Sequence, residues 1–286
     1  MHHTTPEQAK VILADIFNRA APTYGQVGPG YFDYFGQRLV EQAGVGPGMR
    51  VLDVGTGRGA VLFSAAKAVG PAGCVTGIDL SAEMVRATNA DIERRELLNA
   101  CAQVMDAEHL LFPEAAFDAI TCAFSIFFLS DGDAVLREFH RLLRPRGRLA
   151  ISIWGAEAET EVARWRWYDE LVQRFLPSSA GSSPLNPGRE MDTPDQLAAR
   201  LTAASFVGVS LQSETKAFLY TSPEDWWQER WSLFFRVALE RLEPDALTDL
   251  QSEALTHTRG MQVRGELLTE RNAVYVTARK GPGQED

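Results

Sequence analysis

Between residues 50 and 153, short apolar runs alternate with amphipathic stretches, and this alternation restricts the fold more than any other feature of the chain. Arg50–Val54 reads as a short buried strand that stops at glycines, and residues 59–69 as a helix closed by Gly70 and Pro71. Cys74–Asp79 reads as a second strand, after which Ser81 caps a helix through Arg95. Strands follow at 102–105 and 117–122. A helix over 134–143 carries Val135, Leu136, Phe139, Leu142 and Leu143 on one face, and 148–154 is a fifth strand. Short apolar strands separated by helices belong to a mostly parallel sheet covered on both faces, an α/β fold.

After Trp154 the pattern loosens. Residues 157–176 read as a helix bearing Trp165, Trp167, Tyr168, Leu171 and Phe175, and the Pro/Ser/Gly stretch 177–188 as a loop. Thr5-Pro6 and Thr193-Pro194 each place a capping threonine before a proline at the first helical position, so helices start at both; the first runs through Ala20. A sixth strand is expected at 206–211. Ser222-Pro223 opens a long helix carrying Trp226, Trp227, Trp231, Phe234, Phe235, Ala238 and Leu242, with more helix over 245–257 and a last strand over 272–278.

The segment with the clearest chemistry is Asp53-Val54-Gly55-Thr56-Gly57-Arg58-Gly59-Ala60. Glycines between a strand and a helix let a ligand approach the backbone at the helix N-terminus. From Gly55 the run also fits G-x-G-x-x-A, one form of the dinucleotide fingerprint. Asp53 separates the two readings. A pyrophosphate beside that carboxylate is repelled, whereas a ligand bearing an ammonium and a sulfonium is attracted. Asp79, which ends the second strand 20 residues after Gly59, can accept from ribose hydroxyls. Asp106 follows the third strand, where it can accept from an adenine amino group. Acids past three successive strands favour a cationic adenosine ligand.

Taken with Phe117-Asp118-Ala119-Ile120 and Arg141-Leu142-Leu143-Arg144-Pro145-Arg146-Gly147, these motifs resemble the class I S-adenosylmethionine-dependent methyltransferases. Arg146 departs from the family pattern, standing where a glycine is usual. A weaker resemblance, through Phe17-Asn18-Arg19-Ala20-Ala21-Pro22-Thr23-Tyr24, extends to the ubiquinone/menaquinone C-methyltransferase branch and related secondary-metabolite enzymes. The resemblance implies a Rossmann-like seven-stranded sheet with a helical lid and cap. It implies S-adenosylmethionine as cofactor, S-adenosylhomocysteine as product and no metal. By position, Asp53, Gly55, Gly57 and Gly59 would hold the methionine part and Asp79 the ribose. Leu80 and Met84 would pack on the adenine, Asp106 and Ala107 would reach its edge, and Ala123, Phe124 and Ser125 would close the site near the sulfur. Tyr24 is the candidate catalytic residue, orienting the acceptor or contacting the methyl group; packing at the end of the first helix is its other reading.

The expected organisation is a lid at 1–46, a cofactor core at 47–155, a cap insert at 156–192, core again at 193–212, a helical cap insert at 213–270, and the last strand and tail at 271–286. Five of the six tryptophans fall in the two inserts. The aromatic stripe from Trp226 reads first as core of the cap, second as a substrate wall or subunit interface. Phe127, Phe128 and Trp154 make the expected acceptor side apolar. With the quinone-branch resemblance, this directs the expectation to methylation of carbon on a hydrophobic small molecule, with an oxygen acceptor as the alternative. His109, His140 and His257 are weaker candidates for a base.

Composition trims the remaining classes. A chain 45% hydrophobic buries a sizeable core, and a net charge of −10 counts against nucleic-acid substrates. Asp53 counts against a nicotinamide-dependent oxidoreductase, and the intact acids against a non-catalytic cofactor-binding protein. Cys74, Cys101 and Cys122 are expected as buried free thiols. No apolar run approaches a membrane span and no secretory pattern opens the chain, so the expectation is a cytoplasmic protein. His2 and His3 are expected as a flexible end, and the N-terminal helix and the aromatic cap are the two candidate surfaces for a homo-oligomer.

Overall fold

A computed structural model describes residues 5–176, 193–232 and 235–282. The expected 177–188 loop, the His2-His3 pair and Phe234 lie outside these residues. The chain divides into two compact units. One, the sheet unit, comprises the described residues within Phe32–Gly155, Glu190–Glu214 and Ala273–Asp286; the other, the helical unit, those within Met1–Tyr31, Ala156–Arg189 and Thr215–Asn272.

The seven strands are β1 (Arg50–Val54), β2 (Cys74–Asp79), β3 (Ala100–Val104), β4 (Phe117–Ala123), β5 (Leu143–Trp154), β6 (Phe206–Tyr220) and β7 (Leu267–Lys280). They form one sheet in the order β3-β2-β1-β4-β5-β7-β6. β1 through β5 pair parallel, with Asp53 level with Gly77 on one side and Thr121 on the other. β7 runs antiparallel to β5, with Trp154 opposite Ala273. This is the mostly parallel seven-stranded α/β sheet expected from the alternation.

Helices α1 (Pro6–Ala20), α2 (Tyr31–Ala43), α3 (Ala60–Val69), α4 (Ala82–Arg94) and α5 (Gly132–Leu142) precede β5. α6 (Glu159–Phe175), α7 (Pro194–Ala203), α8 (Pro223–Ser232), α9 (Phe235–Leu239) and α10 (Pro244–Met261) follow it. Both threonine–proline starts are helix N-termini with full capping boxes, Thr5 with Gln8 and Thr193 with Gln196. In the sheet unit, Leu136, Phe139 and Leu142 of α5 and Leu197 and Leu201 of α7 bury against Ile120, Leu149, Ile151 and Val276 of the strands.

Four features differ from the sequence expectation. α2 was not anticipated, although Tyr31, Phe35, Leu39 and Ala43 recur every fourth residue and are all buried. Gly36 brings it close to α3: a Cβ there would lie 2.9 Å from the Ala60 carbonyl. β6 continues past the expected end at 211 and β7 begins before 271, because Phe218 and Tyr220, and Leu267 and Thr269, bury alternate positions between exposed neighbours. The polar stretch that hid β6 has a purpose at Glu214, which accepts from Tyr34 Oη (2.5 Å), Arg38 Nε (3.0 Å) and Tyr275 Oη (3.3 Å), tying α2 and β7 to β6. The long helix expected after Ser222 is described as α8 and α9, on either side of residues 233–234. Finally, Cys122 is buried but Cys74 is half-buried and Cys101 exposed, since β3 is an edge strand.

The helical unit has its own core, built from Tyr168, Leu171 and Val172 of α6, Trp226 and Trp227 of α8, and Leu250 and Ala254 of α10. The tryptophans of α8 therefore serve as core packing. Among the described residues no helix is long and apolar enough to cross a membrane.

Candidate active site

Parallel strands end on one side of the sheet, so the residues just past β1 to β5 share an edge, the usual place for a ligand in an open α/β sheet. The loop after β1 is made by three glycines with positive φ: Gly55 (+69°), Gly57 (+50°) and Gly59 (+83°). Gly55 also needs to be small, because a Cβ there would lie 2.4 Å from Ser125 Oγ in the loop after β4. The loop's own cation, Arg58, pairs with Asp91 at 2.9 Å instead of offering itself to a phosphate.

Asp53 is 1% exposed. Its carboxylate accepts from Thr56 Oγ1 at 2.7 Å and Thr121 Oγ1 at 2.9 Å. Burial pushes its pKa up to about 7, the two hydroxyl bonds pull against that, and the charge of Asp79 adds to it. Asp79 accepts from the backbone N–H of Gly57 (2.8 Å) and of Ser81 (2.9 Å), so it fastens the glycine loop to the end of β2. Burial raises its pKa as well, opposed by those N–H donors. Thr88 Oγ1 closes the loop from the other side, donating to the Gly57 carbonyl at 2.7 Å.

Leu80 is half-buried and Met84 fully buried, at the β2–α4 junction. Asp106 and Ala107 follow β3, both half-buried, and Asp106 accepts from the Glu108 N–H at 2.9 Å. Ala123 ends β4. After it Phe124 takes a positive φ (50°), a conformation that costs a bulky residue energy and so marks a constrained turn. Phe127 and Phe128 form a single 3-10 turn with their rings edge to face, centroids 4.6 Å apart. Trp154, at the end of β5, stacks on Phe124 at 4.0 Å and 20°. Phe32 and Phe35 of α2 pack on this pair with centroids 6.0–6.1 Å away.

Residues 51–147 match the family of methyltransferase domains. Over nearly its whole length, 93% of the chain and 98% of the relative, the chain is 32% identical to nocamycin O-methyltransferase from Saccharothrix syringae. The chain is an S-adenosylmethionine-dependent methyltransferase. Two further similarities are shorter. Aklanonic acid methyltransferase DauC from Streptomyces sp. (strain C5) is 39% identical over 49% of the chain and 64% of its own length. The ubiquinone/menaquinone biosynthesis C-methyltransferase UbiE from Shewanella sp. (strain W3-18-1) is 30% identical over 58% of the chain and 67% of its own length. The fold is that of the YcgJ protein from Bacillus subtilis, with a TM-score of 0.57 at 20% identity, covering 87% of this chain and all of that one.

The sequence-predicted residues Asp53, Gly55, Gly57, Gly59, Asp79, Leu80, Met84, Asp106, Ala107, Ala123, Phe127, Phe128 and Trp154 all lie at or just past the carboxyl ends of five adjacent strands in the sheet unit. Tyr24 belongs to the helical unit, where its ring stands edge-on to Phe17 at 5.8 Å. His109 is exposed, His140 packs edge-on against Phe206 at 5.2 Å, and His257 stacks on Trp167 at 3.9 Å. Sequence reasoning missed Thr121, Thr88, Phe32 and Phe35. Thr121 was visible only as a polar residue inside an apolar strand, and the two phenylalanines required α2.

The residues fit the cofactor. The positive-φ glycine loop brings backbone without side chains to the end of β1, Asp79 sets a carboxylate at the end of β2, and a buried Asp53 is suited to a cationic partner.

Proposed function

We propose that the chain transfers a methyl group to an acidic oxygen, a carboxylate or an enolate, on a hydrophobic small molecule. The observation that carries this reading is the reach of the relatives. The nocamycin O-methyltransferase likeness extends over 93% of the chain and so over both units, whereas the ubiquinone/menaquinone relative matches 58%. Residues outside the common core are the ones free to differ between acceptors, and the likeness to an O-methyltransferase extends across them. This reading therefore prefers oxygen, the alternative acceptor, to the carbon expected from the quinone-branch resemblance. The DauC relative, whose name specifies an acid, supports an acidic group. Such an oxygen is already ionised near neutral pH and needs no strong base to become nucleophilic.

In this reading Asp53 and the backbone of Gly55, Gly57 and Gly59 hold the methionine part of S-adenosylmethionine, and Asp79 its ribose. Leu80, Met84, Asp106 and Ala107 hold the adenine, and Ala123 borders the sulfur. When bound, the cofactor would supply an electrophilic methyl carbon to the acceptor oxygen and leave as S-adenosylhomocysteine. The protein's own work is alignment and exclusion of water. Phe127, Phe128 and the Phe124–Trp154 stack provide an apolar wall on the acceptor side, and Tyr24 is the residue to which we assign acceptor orientation.

The test is product analysis with carbon-13-methyl-labelled cofactor across a panel of aromatic acids, enols, phenols and isoprenoid quinols. A labelled methyl ester or enol ether is expected. A carbon-bound methyl resonance in the preferred product would return the reading to the quinone branch.

A further inference from the structure

The helical unit buries a guanidinium. Arg230, on α8, is 4% exposed, and its Cζ lies 5.0 Å from the ring centre of Trp226 and 4.9 Å from that of Phe235. Its Nη2 pairs with Glu229 and donates to Tyr220 Oη at 3.3 Å; Tyr220 Oη in turn donates to Glu229 Oε2 at 2.7 Å. This accounts for one nitrogen. Arg230 Nε has no acceptor among the described residues.

Two hydroxyls in the same unit are in the same condition. Tyr168 Oη and Ser232 Oγ are buried, their residues 2% and 1% exposed, and neither has a partner among the described residues. Tyr168 stands against the rings that flank the guanidinium, 5.0 Å from Trp226 and 5.5 Å from Phe235, whereas Ser232, two residues along α8 from Arg230, lies on another face of that helix. Folded proteins satisfy nearly all of their buried polar groups, so each exception requires a reason. Here two unused donors, Arg230 Nε and Tyr168 Oη, belong to a buried cation and a phenol packed among the indole and phenyl rings of this unit's core. That surrounding is complementary to a flat apolar body carrying oxygens with negative charge.

We propose that the helical unit binds a flat organic anion, an aromatic or conjugated carboxylate or enolate, through Arg230 and Tyr168. Identifying that anion with the methyl acceptor rests on the function proposed above; the binding itself does not. A guanidinium held by Glu229 and Tyr220 presents Nε in a fixed direction, which selects where the ligand's oxygen sits.

Titration of the full chain with 1-hydroxy-2-naphthoic acid and with its methyl ester tests this, read by quenching of tryptophan fluorescence and by calorimetry. The acid is expected to bind about tenfold or more tightly than the ester, the range of a hydrogen bond to a charged group. Tyr168→Phe is expected to weaken the acid roughly tenfold, leave S-adenosylmethionine affinity unchanged, and leave unliganded thermal stability equal or higher, because it deletes an unsatisfied hydroxyl. Arg230→Met is expected to erase the preference for the acid. Equal binding of acid and ester overturns the proposal, as a site filled by buried water predicts. So does no binding of the acid by a chain that binds S-adenosylmethionine, or a Tyr168→Phe chain that binds the acid like wild type. Acid binding that depends on Tyr168 in an enzyme that methylates carbon would remove the oxygen reading and leave this site standing. Oxygen methylation with acid affinity indifferent to Tyr168→Phe would do the reverse.

Discussion

The two units handle buried charge in opposite ways. In the sheet unit Asp53 is held by two threonine hydroxyls, and burial lifts its pKa to about 7. In the helical unit Glu229 and Arg230, neighbours in sequence and both under 5% exposed, are paired with each other and with Tyr220. The first arrangement leaves a carboxyl that is only partly ionised near neutral pH, so an arriving cation would complete its ionisation. The second neutralises its charge internally and leaves hydrogen-bond donors over. On the readings above, one unit takes a positive ligand and the other a negative one, and the difference is written in what each buried charge lacks.

The comparison breaks most readily at Glu229. Replacing it, Glu229→Gln, leaves Arg230 buried without its counter-ion, and removing one partner of a buried pair costs about 3–5 kcal/mol. Urea unfolding followed by tryptophan fluorescence should register a loss of that size. Asp53→Asn, by contrast, should be near neutral or stabilising above pH 7, since it removes a carboxyl that the fold prefers protonated, while its cofactor affinity falls. If the two substitutions cost the same, the units do not differ in the way described.

The next effect is in pH. In an unfolded chain an aspartate titrates near about 3.9. Folded Asp53 holds its proton to about 7. Between those values the fold carries a proton that the unfolded chain has released, so this group's stabilisation is full below the unfolded pKa and is lost as pH rises through about 7. Binding S-adenosylmethionine favours the ionised carboxyl and should therefore expel a proton at pH 6 and none at pH 8.5. Apparent affinity should rise by up to about tenfold per unit of pH and then level off. Calorimetry in buffers of different ionisation enthalpy measures the proton directly; zero release at pH 6 would show that Asp53 does not face the cofactor's charge.

How much of this was legible in the sequence also divides by unit. The sheet unit announces itself locally: Asp53 and its glycines, Asp79 and Asp106 each stand just past an apolar strand, and parallel pairing brings strand ends together without further information. The two capping boxes are equally local. What was lost there depends on folded neighbours. α2 was obscured because Gly28-Pro29-Gly30 precedes it and its buried residues are interleaved with charges. The end of β6 reads as polar until Glu214 meets Tyr34, Arg38 and Tyr275. In the helical unit the tryptophans were visible as helix-spaced aromatics, but the burial of Arg230 was not, because the residues enclosing it come from α6, the end of β6, α8 and α9.

The smallest expected effect tests whether a hydroxyl near a buried charge is in use. Thr121 Oγ1 donates to Asp53 at 2.9 Å, and Ser232 Oγ has no partner among the described residues. Thr121→Val keeps the side chain's shape and removes one bond to the carboxylate, so it should cost about 1 kcal/mol above pH 7, where Asp53 is ionised, and less at pH 5. The same substitution should raise the Asp53 pKa further and move the pH profile of cofactor binding upward. Ser232→Ala removes a group that gives the unliganded fold nothing, so it should change stability by less than about 0.5 kcal/mol, in either direction. Denaturation of both variants at pH 5 and pH 8 distinguishes the cases. A loss at Ser232 as large as that at Thr121, independent of ligand, would mean that its hydroxyl is already spent on the fold.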